Sequence, residues 1–364
     1  MILADIANNR LISQQITDPK FQTVKELVHW MGAMQAQDYA MAEWAIGVRL
    51  PRSTEKHIQV AIDKGEIIRT HLLRPTWHFV SADDIHWMLE LTAPRIKSSL
   101  KSRHRELELT EPIFTKSKEV ISNALVGNNH LTREELLIEL TQANIETKNN
   151  RSSHILLNAE LDGLICSGAS KDKKQTYALL EERVRKVKIL SKEEALTKLA
   201  LRYFSSHGPA TLHDFTWWSG LSTAEARQAL DMIKTGFVSE TIGLQTFWMP
   251  QPLQRRNLYK RPSLCLLPAY DEFVISYSDR SAMLSFENHK RSISRNGLFK
   301  PVILVNGQVV GLWKRVIHKE NVVIELDFFK AHHKTLKSLI QKTSDTFGYF
   351  FGKPVEIMEK IGQT

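Results

Sequence analysis

The chain has 364 residues, of which 42% are apolar and 24% are charged, and it carries a formal net charge of +9. This length predicts two or more modules or one composite domain, and the composition is typical of a soluble globular protein. No apolar run approaches the ~18 residues that a membrane helix needs, and the excess of positive charge indicates a polyanionic partner.

An amphipathic helix is predicted from Val24, because apolar residues recur at helical spacing as far as Met34. It leads directly into Gln35-Ala36-Gln37-Asp38. Side chains at positions i and i+2 of a regular helix point about 200° apart, so Gln35 and Gln37 can face one site only if the helix ends or distorts near them. Asp38 favours such an ending, because it is a good N-cap for a second helix over Tyr39–Val48.

The two glutamines admit two interpretations. Carboxamides at an irregular helix junction can place hydrogen-bond donors and acceptors around one water molecule or one small charged centre. Alternatively, Gln35 and Gln37 only satisfy exposed backbone groups at that junction. The residues alone leave both interpretations open.

A first winged helix is predicted over residues 1–94. Ser53-Thr54 can cap a third helix over Glu55–Lys64, and Glu66–Val80 then predicts two strands about a turn. Three helices followed by a two-stranded ribbon form a winged helix. The ribbon is either a half-buried hairpin or a wing near DNA phosphates, and its polar residues are Arg69, His71, Arg74, Thr76 and His78.

Residues 95–182 are predicted to hold a connecting helix and a second winged helix. The connecting helix is basic and covers Ala93–Glu111, ending before Pro112. Thr132 and Glu135 then form a capping box for a helix of the second module.

The candidate recognition helix of this second module is Arg151–Leu161. Its candidate wing is Leu164–Leu180, with Lys171-Asp172-Lys173-Lys174 at the tip. These features predict a second helix-turn-helix with a basic wing.

A third winged helix is predicted over residues 191–249. A helix is predicted over Lys192–Ser205 and stops before a Gly-Pro pair. Ser222 and Glu225 form a capping box at the start of a later helix of the module. Strands on either side of Ile242-Gly243 form the wing. We interpret Trp217-Trp218 as packing residues and not as a platform on which bases stack.

Residues 262–364 are predicted to form a β-rich domain. Asn306-Gly307 between two apolar runs is a strong signal for a type I′ hairpin, and a helix over Lys330–Phe347 follows. The strands are predicted at Leu264–Leu267, Pro301–Val305, Gln308–Ile317 and Val322–Phe328. The predicted fold class is therefore α+β, with three tandem winged-helix modules and a C-terminal β-barrel-like domain.

Basic residues cluster in four segments, which favours a nucleic-acid surface over ordinary solvated faces. The segments are Arg95 to Arg105, then Arg183, Arg185, Lys186 and Lys188, then Arg255, Arg256, Lys260 and Arg261, and finally Lys290, Arg291 and Arg295. Two cysteines, Cys166 and Cys265, lie in apolar surroundings and are predicted to be core residues in a reducing compartment. The fourteen histidines, His332-His333 among them, lack zinc-site spacing, so we predict no metal and no cofactor.

The Met34–Asp38 segment resembles the start of the tandem winged-helix DNA glycosylases of the AlkZ and YcaQ type, which carry Gln-x-Gln or Gln-x-Asp at this point. Three more segments are similar to that family in the same order, and the four together span nearly the whole chain. They are Arg69–Val80, Leu266–Arg280 and Lys300–Lys314. The chain departs from the family at Pro75, where the family usually has glycine.

This resemblance implies a monofunctional DNA glycosylase that hydrolyses the N-glycosidic bond of N7-alkylated purines, with bulky adducts and interstrand crosslinks as further substrates. Gln35 and Gln37 would be the catalytic pair, with Gln37 nearest the water. The partner would be damaged double-stranded DNA, bound by a monomer in the cytoplasm and at the nucleoid. The predicted DNA contacts are Arg69, Arg74, His78, Arg183, Arg185, Lys186, Arg280 and Lys314.

Asp271, Glu272 and Asp279 suggest paired-carboxylate chemistry, but their spacing fits a structural motif equally well, and we interpret them as structural. The alternative function is a DNA-binding regulator without catalysis. Regulators of this kind are commonly dimers on palindromic sites. Here the modules are already in tandem, which favours one chain wrapped around one duplex.

Overall fold

The structure is a computed structural model that describes residues 2–185, 190–251, 262–331 and 334–360. Its first unit, residues 3–81, combines helices with a small antiparallel sheet in the strand order β1-β3-β2. The elements are α1 (Leu3–Ser13), α2 (Val24–Met31), β1 (Ala33–Gln35), α3 (Tyr39–Arg49), α4 (Glu55–Asp63), β2 (Ile67–Leu72) and β3 (Thr76–Ser81).

Helix α2 ends at Met31, just before the region in which the sequence required an ending or distortion if the two glutamines face one site. Gly32 follows the last residue of the helix with φ of +79°, a conformation that glycine adopts without steric cost. The chain then becomes the short strand β1, which pairs with β3. This strand was not predicted, because the apolar spacing at Ala33 and Met34 also fits a continuing helix.

Helix α5 (Ile85–Glu106) leads into the second unit, residues 111–183. It begins eight residues before the predicted start at Ala93 and runs through Pro94, so the expected helix boundary was wrong. Burial of Trp87, Met88 and Ile96 on its inner face stabilises it despite the proline. The second unit contains α6 (Glu111–Leu125), β4 (Leu131–Thr132), α7 (Arg133–Gln142), α8 (Arg151–Leu161), β5 (Ile165–Ser167), β6 (Thr176–Leu179) and α9 (Leu180–Arg183).

The candidate recognition helix α8 has the predicted bounds but not the expected free face. It contacts two helices, α5 and α6, and two strands, β2 and β5. Along its length, Ser153 is the one exposed residue. Glu160 is fully buried and forms an ion pair with His71 of β2. Helix α8 therefore joins the first and second units, and most of its side chains are covered by its neighbours instead of facing a DNA groove.

The third unit, residues 192–250, keeps an exposed helix. Capping boxes at Ser191, Thr211 and Ser222 start its helices. Helix α12 buries one side and exposes Arg227, Gln228 and Asp231 on the other. The elements are α10 (Lys192–His207), α11 (Leu212–Ser219), α12 (Thr223–Ile233), a 3-10 turn (Lys234–Gly236), β7 (Phe237–Ile242) and β8 (Gln245–Pro250).

The C-terminal part is built on one five-stranded sheet with the order β13-β12-β11-β10-β9. Asn306 and Gly307 both have positive φ, which confirms the predicted tight turn between β10 and β11. In the described chain β9 and β13 are the edges of an open sheet, so the expected barrel is not closed. The elements are β9 (Leu264–Leu267), α13 (Glu272–Ile275), α14 (Phe286–Ser292), β10 (Val302–Val305), β11 (Gln308–Ile317), β12 (Val322–Phe328), a 3-10 turn (Lys334–Leu336), α15 (Lys337–Phe351) and β13 (Val355–Glu359).

The units share their hydrophobic cores. One cluster contains Val80 of the first unit, Phe215 of the third and Leu267 of the C-terminal sheet. In a second cluster, Trp44 and Trp313 pack edge-on against Phe347, and ring centroids lie 4.8 and 5.1 Å apart. Segments far apart in sequence therefore fix the orientation of β1 and its neighbours. None of the described helices is both long and apolar enough to cross a membrane.

Candidate active site

Gln35, the last residue of β1, is held through both its backbone and its side chain. Its amide N donates to Glu272 Oε1 at 2.6 Å, and its side-chain Oε1 accepts from Arg74 Nη2 at 3.2 Å. The residue is 6% exposed and lies opposite His78 in the sheet. Gln35 therefore forms a fixed polar edge on the small sheet of the first unit.

Gln37 is exposed, although the segment that carries it is fixed. Before it, Ala36 donates its N–H to Trp77 O at 2.7 Å and accepts at its carbonyl from Arg69 Nε at 3.0 Å. After it, Asp38 caps α3 by accepting from Met41 N at 3.2 Å. Within the described chain, no residue hydrogen-bonds the Gln37 carboxamide, so it is presented to solvent from a rigid support.

Two consecutive carboxylates lie beneath this segment and anchor it. Glu272 is 1% exposed, accepts from Trp218 Nε1 at 3.2 Å and from Ser276, and lies 3.5 Å from His207 Nε2. Burial opposes its ionisation, but His207, Ser276 and the Gln35 amide hold the pKa of Glu272 below its usual range.

Asp271 forms the second anchor. Its two oxygens accept from Arg49 Nη1 and Nη2, both at 2.8 Å, and both side chains are fully buried. Since Arg49 is the last residue of α3, Asp271 and Glu272 fix the chain on both sides of the glutamine motif. The buried positions of this pair support the structural interpretation and leave no room for paired-carboxylate chemistry at the surface.

The side chain of His78 is not accessible to solvent, so it cannot contact a DNA phosphate. Its side chain is fully buried, and its Nδ1 lies 2.9 Å from Thr76 O. Burial and the nearby Arg74 lower the pKa of His78 to about 3, so the ring is neutral at neutral pH. We therefore leave His78 out of the DNA contacts.

The buried His78 makes stability depend on pH. Its pKa is about 6.5 when unfolded and about 3 when folded, so the unfolded chain binds one more proton as pH falls through 6.5. The free energy of unfolding should therefore fall by about 1.4 kcal/mol per pH unit below pH 6.5 from this residue alone. Urea unfolding at pH 7.5, 6 and 5 measures the slope, and H78F should make it shallower by that amount. An unchanged slope in H78F would contradict the assignment.

Arg74, which donates to Gln35, and Arg280 both lie near the ring of Trp217. Their guanidinium carbons are 5.8 and 5.4 Å from the Trp217 ring centroid. Arg280 also donates to Val274 O at 2.9 Å, and burial lowers its pKa to about 10. Trp218 is fully buried as predicted, whereas Trp217 is 42% exposed and is not a core residue.

Arg183 has a structural role that the sequence did not reveal. Its Nη1 and Nη2 donate to the carbonyls of Asp63 and Ile62 at 2.8 and 2.6 Å, so this arginine caps the C-terminus of α4. Arg185 and Lys314 are exposed, and their DNA contacts stay predictions. Lys186 and Lys188 lie outside the described residues, as do His332-His333 and the cluster Arg255, Arg256, Lys260 and Arg261.

We expect Arg183 and Arg185 to respond differently to charge reversal. R183E should lower the unfolding free energy by about 1–3 kcal/mol, because two partly buried carbonyls lose their charged donor. R185E should leave stability unchanged and weaken duplex binding, with the slope of log affinity against log salt reduced by about one. Thermal unfolding and a salt titration of duplex binding measure the two effects. If R185E binds like the wild type, Arg185 lies on a merely solvated face.

Comparison with known families places the chain among the DNA glycosylases, which are hydrolases of N-glycosyl bonds. The chain belongs to the AlkZ-like DNA glycosylase family, whose model matches residues 28–348. It is 21% identical over 326 residues to an interstrand DNA cross-link repair glycosylase of Streptomyces sahachiroi, over 86% of this chain and 87% of that protein.

The solved structure of Streptomyces sahachiroi DNA glycosylase AlkZ has the same fold. The TM-score is 0.80 at 18% identity, and the match covers 98% of this chain and 100% of that chain. The family resemblance predicted from four sequence segments is thus confirmed. The non-catalytic regulator has no support from these comparisons.

Proposed function

We propose that this DNA glycosylase hydrolyses the N-glycosidic bond of N7-alkylated purines in duplex DNA, with Gln35 and Gln37 as its catalytic pair. The observation that carries this proposal is the contrast between the two side chains. Gln35 is fixed by Glu272 and Arg74, whereas Gln37 is exposed two residues later on a segment held by Arg69 and Trp77. A rigid support under one exposed carboxamide suits a group that acts on a bound substrate.

The chemistry needs little acid catalysis. Alkylation at N7 leaves the purine cationic, so the base departs without a strong general acid, and the sugar develops positive charge. The enzyme must then hold a water molecule and stabilise that charge, and a carboxamide oxygen can do both because it accepts hydrogen bonds and carries partial negative charge. Gln37 supplies this oxygen in our proposal.

Gln35 has a complementary role. Its carbonyl oxygen already accepts from Arg74, which leaves the amide NH₂ group to donate to the same water. Arg74 therefore fixes which end of the Gln35 carboxamide is free. Asp38 is fully explained by its capping of α3, so we assign it no step in the reaction.

We further propose a monomer that binds damaged double-stranded DNA through three winged-helix modules, at residues 1–94, 95–182 and 191–249, with residues 262–364 alongside. Phosphate contacts would come from exposed or partly exposed basic residues (Arg69, Arg74, Arg185, Arg280 and Lys314). The relative from Streptomyces sahachiroi is named for interstrand cross-link repair, which supports bulky adducts and crosslinks as further substrates of this chain.

The decisive assay is incubation of the enzyme with a duplex containing one N7-methylguanine, followed by alkali to reveal abasic sites. Strand cleavage at the lesion, and none in the matched guanine duplex, is the expected result. A crosslinked duplex in parallel tests the wider substrate range. If no abasic site forms on any N7-alkylpurine duplex, the proposed substrate is wrong.

A further inference from the structure

A cavity of about 290 Å³ lies between the first unit and the wing of the second unit. One side is formed by Tyr39 of α3 and Trp77 of β3, and the other by the turn between β5 and β6. Tyr39 is two residues from Gln37, and Arg69, which lines the cavity, donates to the carbonyl of Ala36. The cavity therefore opens next to the proposed catalytic segment.

The charge of this cavity is strongly one-sided. Arg69, Arg133, Lys173 and Lys174 line it, and no Asp or Glu from the described parts of the chain does. By contrast, a cavity of about 350 Å³ near α5 balances Arg95 and Lys192 with Glu90 and Glu225. Four cations without a lining carboxylate make a preformed site for an anion.

Three carboxylates outside the cavity have hydrogen-bond or ion-pair partners of their own, although the charge of Glu160 also acts on Arg69 and Arg133. Glu135 pairs with Lys171 at 2.5 Å, Glu160 is buried against His71, and Asp63 accepts from Ser170 N at 2.8 Å. Lys173 and Lys174 are exposed and make no ion pair with any residue that the structure describes. Their ammonium groups are thus free to bind a ligand.

The turn at the tip of the wing holds these lysines in place. Asp172 and Lys173 both have positive φ, and the backbones of Lys171 and Lys174 are joined by hydrogen bonds of 3.0 and 2.9 Å. This geometry is that of a tight two-residue hairpin. Arg133 is fixed from the other side, since its Nη2 donates to Ser152 and Ser153 at 3.0 Å.

The aromatic wall is unsuited to stacking a base. The Arg69 guanidinium carbon and the His71 ring centroid each lie 4.0 Å from the Trp77 ring centroid, so that ring is already packed. Tyr39 donates its hydroxyl to Gln59 at 3.0 Å and packs against Phe79. The chemistry of the cavity therefore fits a phosphate better than a nucleobase.

We propose that this cavity, formed by Arg69, Arg133, Lys173 and Lys174, binds one backbone phosphate of the lesion-bearing strand beside the nucleotide at Gln37. The inference rests on the proposed function and adds a defined contact to it. The phosphates that flank a nucleoside are the charged groups nearest its glycosidic bond. A clamp on one of them sets the position of the sugar relative to Gln37.

Neutral methylphosphonate linkages test this proposal. One linkage at a time replaces each of the phosphates around an N7-methylguanine, and duplex affinity and the single-turnover excision rate are measured. The wild type and a K173A/K174A variant are compared, with K101A/R105A as the control because both residues are exposed on α5 away from the cavity. The substituted lysines are exposed, so the fold should survive.

One phosphate position should stand out. There the methylphosphonate should weaken wild-type affinity roughly fivefold or more, yet weaken K173A/K174A less than twofold. The control should keep the wild-type response at that position. The salt slope of K173A/K174A should fall by no more than about one, because the cavity neutralises a single phosphate. The phosphate site is refuted if the affinity losses from the methylphosphonate and from K173A/K174A are additive at every position. It is also refuted if no methylphosphonate weakens wild-type binding.

The two proposals fail separately in this design. If the wild type releases no base while its affinity shows the coupling at one phosphate, the substrate assignment is wrong and the phosphate site stands. If the wild type excises the lesion and the variant shows no coupling, the proposed function stands and the clamp is refuted.

Discussion

Q37A should reduce single-turnover excision of N7-methylguanine by roughly 10²–10³-fold, the loss expected when one preorganised polar group is removed from a transition state. Duplex affinity should change little, because phosphate contacts elsewhere hold the DNA. The fold should also be intact, since Gln37 is exposed and makes no hydrogen bond within the described chain. Quenched-flow excision at saturating enzyme gives the rate, and fluorescence anisotropy gives the affinity.

Q37E shows whether an activity loss in Q37A comes from the missing hydrogen-bond acceptor or from a disturbed helix junction. A carboxylate keeps the accepting oxygen and adds negative charge near the sugar cation, so part of the activity should survive. Q228A on α12 is the matched control, because Gln228 is exposed and lies on a different unit. If Q37A excises the lesion at the wild-type rate, the glutamines only support the helix junction.

D271A should lower the free energy of unfolding by about 3–5 kcal/mol, because it leaves the buried Arg49 guanidinium without its carboxylate, with only neutral acceptors at Ala45 and Gln14. The pair is bidentate, with both distances at 2.8 Å and neither side chain exposed. Asp271 also caps α13 by accepting from Phe273 N at 2.9 Å, and that bond is lost as well. Chemical denaturation with the wild type in parallel measures the difference.

The exposed pair between Asp231 and Lys234 provides the comparison. D231A removes an ion pair of similar length, 2.9 Å, on a solvated helix face, and should change stability by no more than about 1 kcal/mol. D271A and D231A could instead lose the same amount of unfolding free energy. That result would mean that Arg49 pairs with another group or becomes hydrated in D271A.

Local patterns predicted most of the helices and several strands with accurate bounds. The capping boxes at Thr132 and Ser222 placed the starts of α7 and α12, and Asn306-Gly307 placed a hairpin turn. These features depend on residues within a few positions of one another. The glutamine motif was also visible, although its interpretation as a catalytic pair came from family resemblance.

Features that depend on distant contacts were missed. Strand β1 forms because β3 pairs with it. Arg183 is structural because it donates to the end of α4, which lies 120 residues earlier in the chain. The buried state of α8 depends on two neighbouring units, and a helical pattern of apolar residues does not show how many sides are covered. The open edge of the C-terminal sheet was likewise invisible in strand patterns.

The bond between the Gln35 amide and Glu272 has a consequence for the order in which the protein is made. Its two residues are 237 positions apart. At about 5–20 residues per second, a ribosome needs roughly 10–50 seconds to reach Glu272 after Gln35 has been added. During that time the nascent chain carries Gln35 without the carboxylate that accepts from its amide, so a partly synthesised chain lacks this anchor of β1.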